Sequence, residues 1–317
     1  MIGRTTSRSG RTVLVTGAAG FIGSAVCAGL EAAGDRVVAY DNLTRGRREY
    51  LPGDVELIVG DIRDAGRWAQ TVREVRPDAV VHLAAMHFIP DCIARPAETI
   101  EINVEGTRRV LEGCRGSSVG HVLFASSAAV YAPVETPCSE SSTAIGPVEI
   151  YGESKVAGED LAAAFHCETG VSTTVLRLFN AVGRRETNPH VVPHIFESLR
   201  VSDDVHLGNT DARRDYVDSR DVAAAIVASL DTLRGLNVMN VGTGVAHSVN
   251  DIVDTLRTIL GRDITIIQDA ARMRPSERML LVADTARLKS AAGWEARVAF
   301  RDVLADLADE YGLDQRV

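Results

Sequence analysis

Long apolar runs, an excess of basic charge, ordered cysteine spacings and internal repeats are all missing from this 317-residue sequence. No apolar stretch approaches the roughly 20 residues that a membrane-spanning helix needs, so no membrane partner is expected. Against 34 Lys and Arg stand 43 Asp and Glu, a net charge of −9. That balance argues against the broad basic footprint of a nucleic-acid binder, while leaving room for a nucleotide held by a few local donors. The five cysteines, Cys27, Cys92, Cys114, Cys138 and Cys167, are scattered and odd in number. They form neither a disulfide framework nor a metal-ligand spacing. No metal is expected, and a reducing, cytoplasmic setting fits. Residues 1–10 are polar and basic with no apolar segment, and read as a disordered lead-in and not a signal peptide.

What is present is an alternation of short apolar strands and helical patterns from residue 12 to about residue 180. This predicts an α/β fold, a doubly wound parallel sheet with helices on both faces. Residues 12–16 (Thr-Val-Leu-Val-Thr) read as a buried strand. Gly17, Gly20, Phe21, Ile22 and Gly23 follow, then a helical pattern. Strand, glycine turn and helix is the context of a phosphate-binding loop. Gly17 permits the tight turn, Gly20 lets backbone approach a pyrophosphate, and Gly23 allows close packing of helix on strand. A second strand ends at Asp41, 24 residues after Gly17, where a carboxylate can take a ribose hydroxyl. It would repel the additional phosphate of NADP, which favours NAD, although Arg45, Arg47 and Arg48 lie close behind.

Tyr151 and Lys155 stand four residues apart in a helix-forming stretch and share a helix face. A nearby ammonium favours phenolate over phenol, so Lys155 is expected to lower the Tyr151 pKa. Ser127 ends an apolar run 24 residues before Tyr151. Ser, Tyr and Lys in this order suggest proton transfer at a sugar or alcohol carbon. Three plainer roles are also expected: His82 as a packed strand-end residue, Asp64 as a helix cap, and, as the alternative to a ligand contact, Asn103 as a residue that satisfies backbone groups.

These motifs together resemble the extended branch of the short-chain dehydrogenase/reductase superfamily that acts on nucleotide sugars, over roughly residues 11–312. The resemblance implies a Rossmann-type domain over residues 11–180, with 215–242 returning to it. It also implies a smaller discontinuous nucleotide-sugar lobe built from residues 181–214 and 243–317. By resemblance, Asn42, Asp61, Ile62, Leu83, Ala84, Ala85 and Asn103 join the glycine loop, Asp41, Tyr151 and Lys155 around NAD. His87, Asn180, Val192, Arg214 and Arg274 join Ser127 around the substrate, with Asn180, Arg214 and Arg274 on the diphosphate. Arg274-Pro275-Ser276-Glu277 departs at two positions from the family's Arg-Pro-Gly-Asp. Asn180 is expected to end a sixth strand, and a helix is expected near residues 193–201. A homodimer is expected by resemblance alone.

Related dehydratases carry an acid and a base in the two positions after the catalytic hydroxyl residue, and here both are alanines, Ala128 and Ala129. The chain is therefore most like the 4-epimerases of the UDP-glucose and UDP-galactose type, which need hydride and proton transfer at C4 only. A ketoreductase using NAD(P)H, an epimerase of UDP-glucuronate, and a non-catalytic NAD-binding regulator remain as alternatives. No arginine stands where uronate epimerases are expected to hold the carboxylate.

Overall fold

The structure, a computed structural model, describes residues 10–273 and 278–313. In chain order the first half runs β1 (Thr12–Thr16), α1 (Phe21–Ala32), β2 (Arg36–Asp41), β3 (Glu56–Val59), α2 (Ala65–Val75), β4 (Ala79–His82), α3 (Ile89–Ala94) and α4 (Pro96–Ile100). A π turn (Glu101–Gly106) leads into α5 (Thr107–Cys114), followed by β5 (His121–Ser127), α6 (Ile150–Thr169) and β6 (Ser172–Leu178). The second half comprises β7 (Asn180–Val182), α7 (Val191–Leu199), β8 (Asp204–Leu207), β9 (Arg213–Asp218), α8 (Ser219–Thr232) and β10 (Leu236–Val241). It closes with β11 (Ala246–Ser248), α9 (Val249–Leu260), β12 (Thr265–Gln268), β13 (Leu280–Leu281), α10 (Ala286–Ala292) and α11 (Phe300–Glu310).

Seven strands form one sheet in the order β10-β6-β5-β4-β1-β2-β3, and every neighbouring pair is parallel. The order reverses between β1 and β4, which opens the crevice where ligands bind in such sheets. Strand residues alternate between two apolar layers, as the period of two requires. Val13 and Val15 join Val26 and Leu30 of α1 and Val222 and Ile226 of α8. Leu14 faces the other way, with Trp68, Val110 and Phe165. Both layers exclude water, so the strands read as near-continuous apolar runs. Asp64 does cap α2, accepting from the Arg67 amide. His82 is packed as expected: it is buried, with Thr16 and Thr107 hydroxyls on its two ring nitrogens at 2.7 and 2.9 Å.

β9 is the spine of a second sheet, flanked by β7, β11 and β13. A separate apolar cluster lies beside it, built from Ile195 and Phe196 of α7, Ile252 and Leu256 of α9, and Leu304 and Leu307 of α11. Two expectations need correction here. Asn180 does not end β6. After Phe179 the chain leaves the main sheet, and Asn180 opens β7, paired with Tyr216 of β9. The helix expected near residues 193–201 starts and stops two residues earlier, as α7, with His190 in its cap position. Pro193 still falls in its first turn, where a missing N–H costs nothing.

Candidate active site

A cavity of about 2120 Å³ lies across the carboxyl ends of β1 to β6 and continues between the main sheet and the second lobe. Pockets for one small ligand usually measure about 300–1,000 Å³, so this one has room for two. At its first end the turn after β1 sets the shape. Gly17 has φ +67°, and a Cβ there would stand 2.8 Å from the Ala84 nitrogen. At Gly23 a Cβ would stand 2.0 Å from the Gly17 carbonyl oxygen. Both positions bar a side chain, which brings the turn against β4 and α1 against the turn. α1 begins without a side-chain cap, so its first amides remain for an anion.

Asp41 accepts from the backbone nitrogens of Ala19 (3.0 Å) and Leu43 (2.8 Å), which aim its carboxylate; burial raises its pKa. The arginines behind it turn to other partners. Arg45 pairs with Asp91 at 2.7 Å, Arg47 with Glu49 at 3.8 Å, and Arg48 donates to the Pro52 and Gly53 carbonyls. Asp61 accepts from Asn42 at 3.0 Å, and its two-point pair with Arg63 holds the carboxyl well below the usual range. Ile62, Leu83, Ala84 and Ala85 line the wall between these groups and the centre.

At the centre, β5 ends on Ser127, whose hydroxyl caps the next turn by accepting from the Ala129 amide at 3.1 Å. α6 begins one residue before Tyr151, with the Glu149 carboxylate capping the Tyr151 and Gly152 amides at 2.8 and 3.2 Å. Tyr151 and Ser127 line the same stretch of the cavity. Lys155 sits one turn further on, with its ammonium 5.8 Å from the Tyr151 ring centroid and donating to the Ala125 carbonyl at 2.8 Å. The expectation that Lys155 holds the phenol below its usual pKa is not met. Enclosure pushes the Tyr151 pKa up, only partly offset by the neighbouring Ser127 hydroxyl, and pulls Lys155 down to about 8. Desolvation outweighs the attraction because both groups are enclosed and the ammonium is directed to a backbone carbonyl.

The next turn of α6 supplies Glu159, which anchors the strand under Ser127. It accepts from Ser126 at 2.5 Å and takes a two-point pair from Arg177 at 2.9 and 2.6 Å. The Arg177 guanidinium lies 4.8 Å over the Tyr131 ring, and Tyr131 donates to Asn240 at 2.7 Å. This buried chain ties β5, α6, β6 and β10 together directly behind the Ser127–Tyr151–Lys155 group.

At the far end Asn180 and Arg214 line the cavity, and the buried Val192 forms part of its wall. Arg214 is carried on β9, whose neighbouring Asp215 is fully buried and accepts from the amides of Thr243, Gly244 and Ala283. His87, Asn188, Glu186 and His190 also line this end. Arg278 does too: one guanidinium nitrogen donates to the Ala129 carbonyl at 3.3 Å, and another is buried without a partner.

Of the expected cofactor and substrate residues that the structure describes, all but Asn103 line the cavity. Arg274 lies outside the described residues. Asn103 is turned inward by the π turn: it accepts from the Met86 amide at 2.7 Å and donates to Met86 O and Ser154 Oγ, both at 2.9 Å. It fastens the loop after β4 to α6. Sequence reasoning passed over Glu149, Glu186, Asn188 and Arg278. A polar loop ending in a helix cap was the available signal for two of them; nothing local marked Arg278.

The comparisons agree with this geometry. The pattern of the NAD dependent epimerase/dehydratase family matches residues 13–242. The chain is 32% identical over 328 residues to a UDP-glucose 4-epimerase of Azospirillum brasilense, covering 96% of this chain and 93% of that one. Among solved structures it is similar to UDP-glucose 4-epimerase from Brucella ovis in complex with NAD, with 30% identity, a TM-score of 0.89, and coverage of 96% and 100% of the two chains. It is also similar to MoeE5 in complex with UDP-glucuronic acid and NAD, with 31% identity, a TM-score of 0.84, and coverage of 93% and 97%.

Proposed function

The chain belongs to the NAD dependent epimerase/dehydratase family, and from that premise we propose that it epimerises a nucleotide-diphosphate sugar, of the UDP-glucose type, at C4. The observation that carries this reading is the meeting of Ser127, Tyr151 and Lys155 on one cavity wall, with alanines at 128 and 129. Proton transfer has its groups there, while elimination lacks the acid and base that would follow Ser127.

NAD fits the first end of the cavity. The backbone cradle of Gly17, Gly20 and Gly23, with the uncapped start of α1, suits a pyrophosphate. Asp41 suits the ribose hydroxyls and opposes a further phosphate beside them, while Arg45 and Arg47 on the cavity wall are paired with Asp91 and Glu49. Bound there, NAD supplies a reversible hydride acceptor, regenerated in each cycle.

The chain's own groups handle the proton. Tyr151 takes the proton of the C4 hydroxyl and returns it, with Ser127 bonding the same oxygen and relaying between the two. Lys155 provides the counter-charge for the phenolate. Because burial keeps the phenol protonated, generating the base costs free energy that the filled site has to offset. Arg214, Asn180 and Arg278 hold the anionic diphosphate end, so the sugar can turn while its nucleotide stays anchored. We also place the protein in the cytoplasm as a homodimer. Its thiols are free and four of the five are buried, which suits a reducing compartment. Apolar Ile93 and Ile100 stand exposed on neighbouring helices, as a paired surface requires. Among the described residues, no helix is long and apolar enough to cross a membrane.

The test is incubation with UDP-glucose, UDP-N-acetylglucosamine and UDP-glucuronate without added cofactor, followed by proton NMR. A C4 epimer that disappears in Tyr151→Phe is the expected result. No epimer from these sugars, with NAD(P)H consumed only when a 4-keto nucleotide sugar is supplied, would replace this reading with the ketoreductase.

A further inference from the structure

We propose that His87, Glu186 and His190 bind one divalent transition-metal ion of the zinc class at the far end of the cavity. The three residues come from two loops: His87 follows β4, while Glu186 and His190 lead into α7. Each offers one donor atom, and these atoms all lie within 4.8 Å of one another. Ligands of a tetrahedral zinc site bond the ion at about 2.0–2.2 Å, so small side-chain rotations close this cluster onto an ion.

The second observation is the way the donors are held. Asn188 is almost completely buried beneath them, 3% exposed. Its amide nitrogen meets His87 Nε2 at 2.9 Å and Glu186 Oε1 at 3.2 Å, and its backbone N–H donates to Glu186 Oε1 at 2.8 Å. A carboxylate oxygen accepts, so the Asn188 group facing it is the NH₂ donor. His87 Nε2 therefore accepts as well, its lone pair taken up by the Asn188 amide, which an arriving ion displaces. Metal-binding histidines are oriented by such outer partners, and here one buried amide holds His87 and Glu186 side by side.

Two imidazoles and one carboxylate select a borderline ion such as Zn²⁺ or Co²⁺ over Mg²⁺ or Ca²⁺, which prefer oxygen. Three protein donors leave the fourth tetrahedral position facing the cavity. Residues 87 and 186–190 lie far apart in sequence, which is why no metal-ligand spacing announces them.

Titration of the NAD-loaded full chain with Co²⁺, followed by visible absorption with no sugar present, tests this. One tetrahedral Co²⁺ per chain is expected, displaced by one equivalent of Zn²⁺ and not by Mg²⁺. Glu186→Gln and His190→Ala are each expected to weaken binding at least ~10-fold. In unsubstituted protein, Zn²⁺ should shift the imidazole nitrogen signals of His87 and His190 and spare those of buried His82, which keeps the test independent of how the variants fold. No stoichiometric binding, or binding unchanged in both variants, overturns the site. The titration involves no turnover, so its failure leaves the epimerase reading standing, and a failed epimerase assay leaves the titration result intact.

Discussion

The two ends of the cavity are built by different means. At the nucleotide end backbone does most of the work. Gly17 and Gly23 bring main chain within contact of main chain, and Asp41 is aimed by two amides. At the sugar end long side chains converge from β9, from the loops after β4 and β7, and from the stretch before β13. The contrast teaches that a shared cofactor can be served by a fixed frame, while the choice of sugar is left to replaceable side chains on loops.

Between the ends stands the catalytic group, and removing it gives the largest expected effect. Tyr151→Phe should lower kcat by about 10³-fold while NAD stays bound, because proton transfer is lost and the cradle is untouched. Turnover by NMR and bound NAD by mass spectrometry separate the two. Loss of NAD in this variant would mean that centre and nucleotide end are not independent. Next comes the buried pair behind it. Glu159→Ala leaves Arg177 charged and unpartnered, which should destabilise the fold by about 3–5 kcal/mol in chemical denaturation. An unchanged midpoint would show that the cation–π contact with Tyr131 suffices.

The frame itself is sharpened by Gly23→Ala. Its methyl would collide with the Gly17 carbonyl, so a loss of about 1–3 kcal/mol and of copurified NAD is expected. Normal NAD content would contradict the backbone account. On the sugar side, Arg278→Ala should raise KM for the nucleotide sugar by roughly 10-fold with kcat nearly constant, the sign of an anchor lost equally in ground and transition states. A fall in kcat alone would move Arg278 to the reacting carbon.

The smallest effect concerns pH. Lys155 is held at about 8, below its unfolded value of 10.5. Between those values the unfolded chain binds the proton that the folded chain has released, so this group's contribution to stability rises with pH. Cofactor-free protein should thus gain stability relative to Lys155→Met from pH 8 to about 10. Buried thiols work the other way in the same window, since Cys27 and Cys114 are pushed up to about 12, which is why the comparison is made against the variant. A flat difference would mean that Lys155 is better solvated than its burial implies.

The sequence by itself determined the doubly wound sheet, the glycine cradle, Asp41 as a strand-end carboxylate, and the Ser127–Tyr151–Lys155 group. Each rests on local rules: a period of two or of 3.6, a turn that needs glycine, a helix that sets residues four apart on one face. Only the tertiary structure decided the rest. It turned Asn103 away from the cavity, because a π turn is invisible in residue types. It moved Asn180 into a second sheet, because strand pairing is non-local. It reversed the expected direction of the Tyr151 shift, because desolvation depends on what encloses a side chain and not on its neighbours in sequence. And it gathered Glu186, Asn188, His190 and Arg278 beside His87 at one end of one cavity, since loops are placed by the cores they span.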